Sequence, residues 1–270
     1  MTDHAETRPR FLDLHSSEQP LLLPNPWDLG SAKLLAALGF RALATTSGGF
    51  AGSLGRLDGN VTRDEAIAHA AAVAAATGLP VNGDFENCFA DAPEGVAETV
   101  RLAVAAGVEG CSVEDWSGSE IYDIGLATER VTAAAEAAHA GAKRLILTAR
   151  AENQLRRQHD LEDTISRLRR YQEAGADVLY APALRTTQEI RAVLDSVDRP
   201  VNVLAVPGLP PVAELAQAGV SRVSIGSAFA YDAYGALIQA ATEFRDTGTY
   251  SFLDRAVHGY RELASDAFAG

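Results

Sequence analysis

Leu79-Pro80-Val81-Asn82-Gly83-Asp84-Phe85-Glu86-Asn87 is the stretch whose reading decides the fold. Gly78 stops an alanine-rich helical pattern, a short apolar strand follows, and the run breaks into carboxylates at its end. A core has no use for Asp84 and Glu86 at that place, because burying an unpaired charge is costly. Two acidic side chains at a strand exit can hold a hard cation or share acid–base work. The event recurs where Gly110-Cys111-Ser112-Val113 runs into Glu114-Asp115. It recurs with opposite charge where Leu145-Ile146-Leu147-Thr148-Ala149 runs into Arg150-Ala151-Glu152. Several polar strand ends in register point to one active site.

Outward from this stretch the same rhythm fills the chain. Strands are expected over residues 21–23, 41–45, 80–82, 108–113, 144–149, 177–180, 201–204 and 220–225. Helical patterns lie between them, one opened by the capping box Thr62 and Glu65, and several stopped by glycine. The segment Ser47-Gly48-Gly49-Phe50-Ala51-Gly52 reads as a glycine-rich loop after the second strand. Eight strand–helix units without a linker predict an α/β fold, a (β/α)8 TIM barrel. An open doubly wound sheet is the alternative, and eight units in about 250 residues favour closure. The expected organisation is one barrel domain over 1–270, with its core over about 20–230 and a C-terminal helical extension over about 231–270. Helix is expected from Ser227 and again over residues 251–264.

Composition narrows the function. A net charge of −13 and a pI near 4.9 argue against nucleic acid or an anionic membrane as partner. Met1 to Arg10 is polar without an apolar core, and no run reaches membrane-spanning length, so a cytoplasmic protein is expected. Two cysteines make neither a disulfide framework nor a structural zinc site. Cys111 reads as a core thiol, and Cys88 is open between core and reactive roles. His69 and His139 read as surface residues of alanine-rich helices, and Arg156, Arg157 and the 167–170 run as solvated or helix-pairing charge.

Barrel enzymes work at the C-terminal ends of their strands. Ser47, Gly48 and Gly49 there are either a turn or a row of amides facing a carboxylate. Asp84 is either a cap or a metal ligand. Glu86 and Asp115 stand between supporting that shell and facing solvent, whereas Glu114 reads as functional. Arg150 either pairs with Glu152 or presents its planar fork to a substrate carboxylate. Asn202, Ser224 and Ser227 complete the mouth.

At these residues the chain resembles the isocitrate lyase and phosphoenolpyruvate mutase superfamily, from Pro24-Asn25-Pro26-Trp27-Asp28 to about Tyr234. Thr45-Thr46-Ser47-Gly48, Asp58, Asp84, Val113-Glu114-Asp115, Thr148-Ala149-Arg150 and Asn202 carry the likeness. The resemblance implies a barrel enzyme binding Mg²⁺, or Mn²⁺ in its place, and a small 2-oxo or 2-hydroxy carboxylate. It also implies a homo-oligomer, a dimer or a dimer of dimers that exchanges a C-terminal helix. Asp84 would hold the metal, with Glu86 and Glu114 as further metal candidates and Asp58 in the outer shell. Ser47, Gly48 and Gly49 would hold the substrate carboxylate, with Arg150 as its cationic partner and Asn202 beside it.

Departures bear on the reaction. Asn82 stands where many members carry Asp. The lyase loop Lys-Cys-Gly-His is replaced by Trp116-Ser117-Gly118-Ser119-Glu120-Ile121-Tyr122-Asp123, with Trp116 in place of the Lys of phosphonate-processing members. Ala181-Pro182-Ala183 lacks the carboxylate found in the lyases. The expected reaction is Mg²⁺-dependent cleavage of a C–C bond in a di- or tricarboxylate through an enolate, with Glu114, Arg150, Asp58 and Tyr122 as catalytic candidates and Tyr122 as proton donor. Alternatives are phosphonopyruvate mutation or hydrolysis, oxaloacetate decarboxylation or hydrolysis, and a barrel that binds a 2-oxo acid without turnover.

Overall fold

Eight parallel strands frame the computed structural model, which describes residues 11–269. The expectation about Met1 to Arg10 lies outside the described residues. The strands are β1 (Leu21–Leu23), β2 (Leu43–Ala44), β3 (Val81–Asp84), β4 (Gly110–Glu114), β5 (Ile146–Arg150), β6 (Val178–Tyr180), β7 (Val201–Leu204) and β8 (Arg222–Ser224). β2 pairs with β3 and so on in order to β8, which pairs with β1. Between β1 and β2 the amide of Ala44 donates to the carbonyl of Pro24 at 3.0 Å, so the barrel nearly closes. This is the expected (β/α)8 architecture with additional C-terminal helices.

Five strand ends differ from the sequence reading: β2 and β8 stop one residue early, and three strands run further. β3, β4 and β5 run on through Asp84, Glu114 and Arg150, because ladder pairing continues there, with Glu114 in register with Arg150. The charged residues are therefore the last residues of strands, held by two neighbours, and point into the barrel mouth. The helices alternate with the strands as expected; α3 (Arg63–Thr77) opens with the Thr62 and Glu65 capping box. Ser47–Ser53, expected as a loop, is the short helix α2, with Thr46 as N-cap. Its glycines are demanded by close approach: a Cβ on Gly49 would fall 2.5 Å from Thr46 Cγ2, and one on Gly48 would fall 2.9 Å from Ser227 Oγ.

The bottom of the barrel is plugged by a 3₁₀ turn, Phe11–His15. Phe11 and Leu14 pack with Leu21, Ala42, Ile146 and Val178. Gly110 makes room for the plug, since a Cβ there would sit 2.6 Å from the Phe11 ring. Outside the barrel, alanines of α3 and of α5 (Ile124–His139) let these helices sit close against the strands.

Beyond the barrel, α9 (Ala228–Thr247) buries only Ala230 and exposes Leu237, Ile238 and Phe244. The single helix expected over 251–264 is broken into α10 (Leu253–Gly259), a π-helical turn (Tyr260–Ala264) and α11 (Ser265–Phe268). Among the described residues no helix is long and apolar enough to cross a membrane.

Of the two histidines expected at the surface, His139 is half-buried and His69 is buried. His139 Nε2 pairs with Asp177 at 2.9 Å. His69 is buried, its ring stacked on Phe50 with centroids 3.9 Å apart. Burial pulls the His69 imidazole down to about 4, so it stays neutral while the unfolded chain protonates near 6.5. Because its folded value is depressed, His69 costs nothing at pH 7 and destabilises as pH falls from about 6.5 to about 4, by roughly 1.4 kcal/mol per pH unit. Against a His69→Phe variant, the wild-type unfolding free energy from urea titration should fall by about 2–3 kcal/mol more over that window. Parallel pH profiles of the two proteins would refute this.

Candidate active site

At the C-terminal ends of the strands lies a cavity of about 720 Å³. Its centre is Arg150, the last residue of β5. Nη1 donates to Asp84 Oδ1 at 3.1 Å and meets Glu114 Oε1 at 2.8 Å, while Nε and Nη2 both reach Glu152 Oε1 at 2.9 Å. One guanidinium thus serves three carboxylates. Its plane also lies over the Tyr180 ring, 5.0 Å from the centroid. Burial alone would lower the guanidinium pKa, but Glu114, Glu152 and Asp84 outweigh it and hold the value well above the ordinary one.

Asp84 is fixed from three sides. The Ser47 amide donates to Oδ2 at 3.0 Å, Ser112 Oγ donates to Oδ1 at 3.3 Å, and the Asp84 amide donates to Thr45 Oγ1 at 2.8 Å. With Arg150 also on Oδ1, Oδ2 retains an acceptor position facing the cavity wall. Glu114 is buried, and burial pushes its carboxyl well above the usual range; Arg150 opposes this, while Glu152 and Asp84 reinforce it. Glu86 lines the same cavity from a left-handed backbone conformation, φ 51°. Burial, with Asp84 and Asp58 nearby, raises its carboxyl to about 7. Asp58 sits at the exposed rim of the cavity. The carboxylates that line the cavity, Asp58, Asp84, Glu86 and Glu114, outnumber its arginines, Arg150, Arg156 and Arg222.

Several expected residues fall elsewhere. Tyr122 is displaced from its expected role as proton donor: it is absent from the cavity lining, its hydroxyl donates to Asp91, and its ring lies under Arg130. The loop that carries it is a tight turn, bridged between Trp116 and Ile121, with the Tyr122 carbonyl accepting from Arg167 at 3.0 Å. Ser47 lines the cavity, whereas Gly48 and Gly49 are buried behind it, and the Gly49 amide donates to Thr46 Oγ1. The expected row of three amides reduces to the Ser47 end. Asp115 does not face solvent: it accepts from Tyr171 Oη at 2.5 Å, Arg167 Nη1 at 3.1 Å and the Glu152 amide at 2.8 Å, and so braces the loop carrying Glu152. Cys88 is fully buried and its thiol is pushed up to about 12, which removes the reactive role. Asn202 does line the cavity, donating to Ser224 Oγ at 2.9 Å.

Two arginines went unrecognised. Arg156, read as solvated or helix-pairing charge, lies over the Trp116 ring at 4.5 Å and faces Glu114 and Glu152 at 3.8 and 3.6 Å. Its position in the turn after β5 was the available signal. Arg222, in β8, is buried in the cavity floor, and an arginine inside the strand expected over residues 220–225 is the signal for it.

A barrel whose mouth gathers strand-end carboxylates around one buried arginine has the layout of an enzyme that works at the C-terminal ends of its strands. The profile of the phosphoenolpyruvate phosphomutase family matches residues 11–245, and the chain belongs to that family, within the isocitrate lyase and phosphoenolpyruvate mutase superfamily. A provisionally assigned lyase/mutase of Burkholderia cenocepacia J2315 is 49% identical, with TM-score 0.92, covering 96% of this chain and 94% of that one. An uncharacterised Mycobacterium tuberculosis protein is 37% identical over 80% of this chain and 81% of its own length. The 2-methylisocitrate lyase of Halalkalibacterium halodurans is 29% identical over 73% of this chain and 66% of its own. A phosphonopyruvate hydrolase of the same fold holds oxalate and Mg²⁺.

Proposed function

We propose that the protein is a Mg²⁺-dependent lyase that cleaves a C–C bond in a small 2-hydroxy or 2-oxo di- or tricarboxylate. The observation that carries this reading is the cluster of Asp84, Glu114 and Glu152 around the single cation of Arg150. Among the described residues no three His, Cys, Asp or Glu close into a metal cage. Mg²⁺ keeps several waters and needs only one or two carboxylates from the protein. Asp84 would hold the ion through Oδ2, with Glu86, Glu114 and Asp58 linked to it through water; Mn²⁺ fits the same oxygen set. When bound, the ion supplies Lewis-acid stabilisation of the negative charge that develops as the bond to C3 breaks.

The chain's own residues do the rest. Arg150 holds Glu114, Glu152 and Asp84 in place with four of its N–H groups and presents the one that remains, on Nη2, to the substrate carboxylate, so the planar fork is not free to bind it bidentately. Glu114, its pKa raised by burial, retains a proton near neutral pH more readily than an exposed carboxylate does. Tyr180 takes the donor role expected of Tyr122: it lines the cavity, and burial pushes its hydroxyl up to about 12, so it is protonated at neutral pH. Arg156 and Trp116 cover the mouth and exclude water. The exposed apolar residues of α9 suit burial against a second copy of the chain, so the active form is a homo-oligomer.

A panel of 2-hydroxy and 2-oxo dicarboxylates, assayed for 2-oxo acid release with Mg²⁺ and with a chelator, tests the reading. Release that requires Mg²⁺ is expected for at least one compound. No release from any of them, with oxalate still bound, would leave a binding barrel instead. Arg156 supplies a cation at the mouth that phosphonate chemistry would need, so phosphonopyruvate belongs in the same panel.

A further inference from the structure

The cavity floor holds a cation that the proposed chemistry does not use. Arg222 is 2% exposed, yet it lines the cavity. Its guanidinium has three neighbours, all uncharged: Nε donates to Asn202 Oδ1 at 2.9 Å, Nη2 to Thr148 Oγ1 at 3.0 Å, and Nη1 meets His15 Nε2 at 3.4 Å. His15 is neutral, since burial and then Arg222 itself pull its imidazole down to about 4, and an imidazole carries no negative charge to offset the guanidinium. No Asp or Glu of the described residues forms an ion pair with Arg222, in contrast to Arg150 directly above it. Burial lowers Arg222 only to about 10, so it is a cation at neutral pH.

A buried arginine without an anion is expensive, and an apolar residue of similar volume would pack the floor more favourably. Five N–H donors less these three contacts leave two N–H groups for a ligand. Position defines the ligand. Thr148, which accepts from Arg222, precedes Arg150 by two residues on β5, so the residue that anchors Arg222 and the arginine of the mouth share one face of the strand, with their Cα atoms one pleat repeat, about 6–7 Å, apart. That is the reach of a short diacid standing upright in the barrel. Asn202 and Ser224 on the same wall supply neutral hydrogen-bonding partners.

We propose that Arg222, positioned by Asn202 and Thr148, binds a second carboxylate of the substrate at the barrel floor, and so selects short dicarboxylates over monocarboxylates. This rests on the reading of the cavity as a 2-oxo or 2-hydroxy acid site. Calorimetric titration with malate and with lactate, which differ by one carboxylate, tests it without turnover. The wild-type protein should bind malate at least tenfold more tightly than lactate. Arg222→Met should bring malate down to the lactate level while leaving lactate, and oxalate with Mg²⁺, within about twofold, and Arg222→Lys should restore part of the preference. An unchanged malate preference in Arg222→Met, or an equal loss for all three acids, overturns the proposal. Loss of the Mg²⁺ effect on oxalate with the malate preference intact would sink the metal reading and leave this one standing. A wild-type crystal structure with malate gives a check independent of the variants. A carboxylate hydrogen-bonded to Arg222 supports the assignment, and both carboxylates at the mouth overturn it.

Discussion

Asp84→Asn is expected to lower turnover of the best substrate of the panel about a thousandfold or more, with the fold intact. The magnitude follows from the role: Lewis-acid stabilisation supplies several kcal/mol, and each 1.4 kcal/mol is tenfold in rate. The substitution removes the charge and leaves one acceptor oxygen of the same size for the Ser47 amide, while the new amide NH2 can donate to Ser112 Oγ in place of the bond the hydroxyl donated. Thermal stability should hardly change, because the variant also relieves the crowding of carboxylates around Arg150. Asp84 is one of the charges that raise Glu86, so the Glu86 carboxyl should titrate lower than in the wild type, measurable by NMR. Turnover that persists within tenfold would remove Asp84 as the metal anchor. Turnover that is lost together with the folded state would show that the residue serves the barrel instead.

The parts of this site legible in the sequence are those that depend on position along one strand. Asp84, Glu114 and Arg150 end apolar runs, and a run of that kind in a parallel barrel delivers its last residue to the mouth whatever surrounds it. What the chain could not announce depends on neighbours distant in sequence. Tyr122 lies in the right loop, but its hydroxyl is claimed by Asp91, 31 residues away in sequence. Asp115 sits beside Glu114 in the chain yet points the other way, as alternate strand residues must, and there it meets Arg167 and Tyr171 of α6 (Leu161–Glu173). Ser47-Gly48-Gly49 looks like a loop because glycine disfavours helix, and becomes helix because α9 packs close behind it. Arg222 shows the opposite case: an arginine inside an expected strand is visible in the sequence, but its burial without an anion is a fact of three dimensions.

Arg150→Met should be the most destabilising single change at the mouth. Removing the guanidinium strands Glu114 and Glu152, both buried, with Arg156 as their remaining cation, 3.8 and 3.6 Å away. Taking one partner from a buried ion pair costs about 3–5 kcal/mol, and here three carboxylates lose the same partner. The loss should depend on pH with a definite sign. Burial raises the carboxyl groups of both Glu114 and Glu152 above the unfolded value of about 4.5, and without Arg150 that rise can only grow. A carboxyl raised in the folded state binds protons more tightly there than in the unfolded chain, so stability is recovered as pH falls and lost as pH rises above about 4.5. Urea unfolding should therefore show the variant weakest near pH 8 and closest to the wild type near pH 5. Arg150→Lys should recover only part of the deficit at pH 8, since one ammonium cannot reach Asp84, Glu114 and Glu152 together as the planar fork does. A deficit that is constant from pH 5 to pH 8 would mean that the cost is lost packing against Tyr180 and not stranded charge.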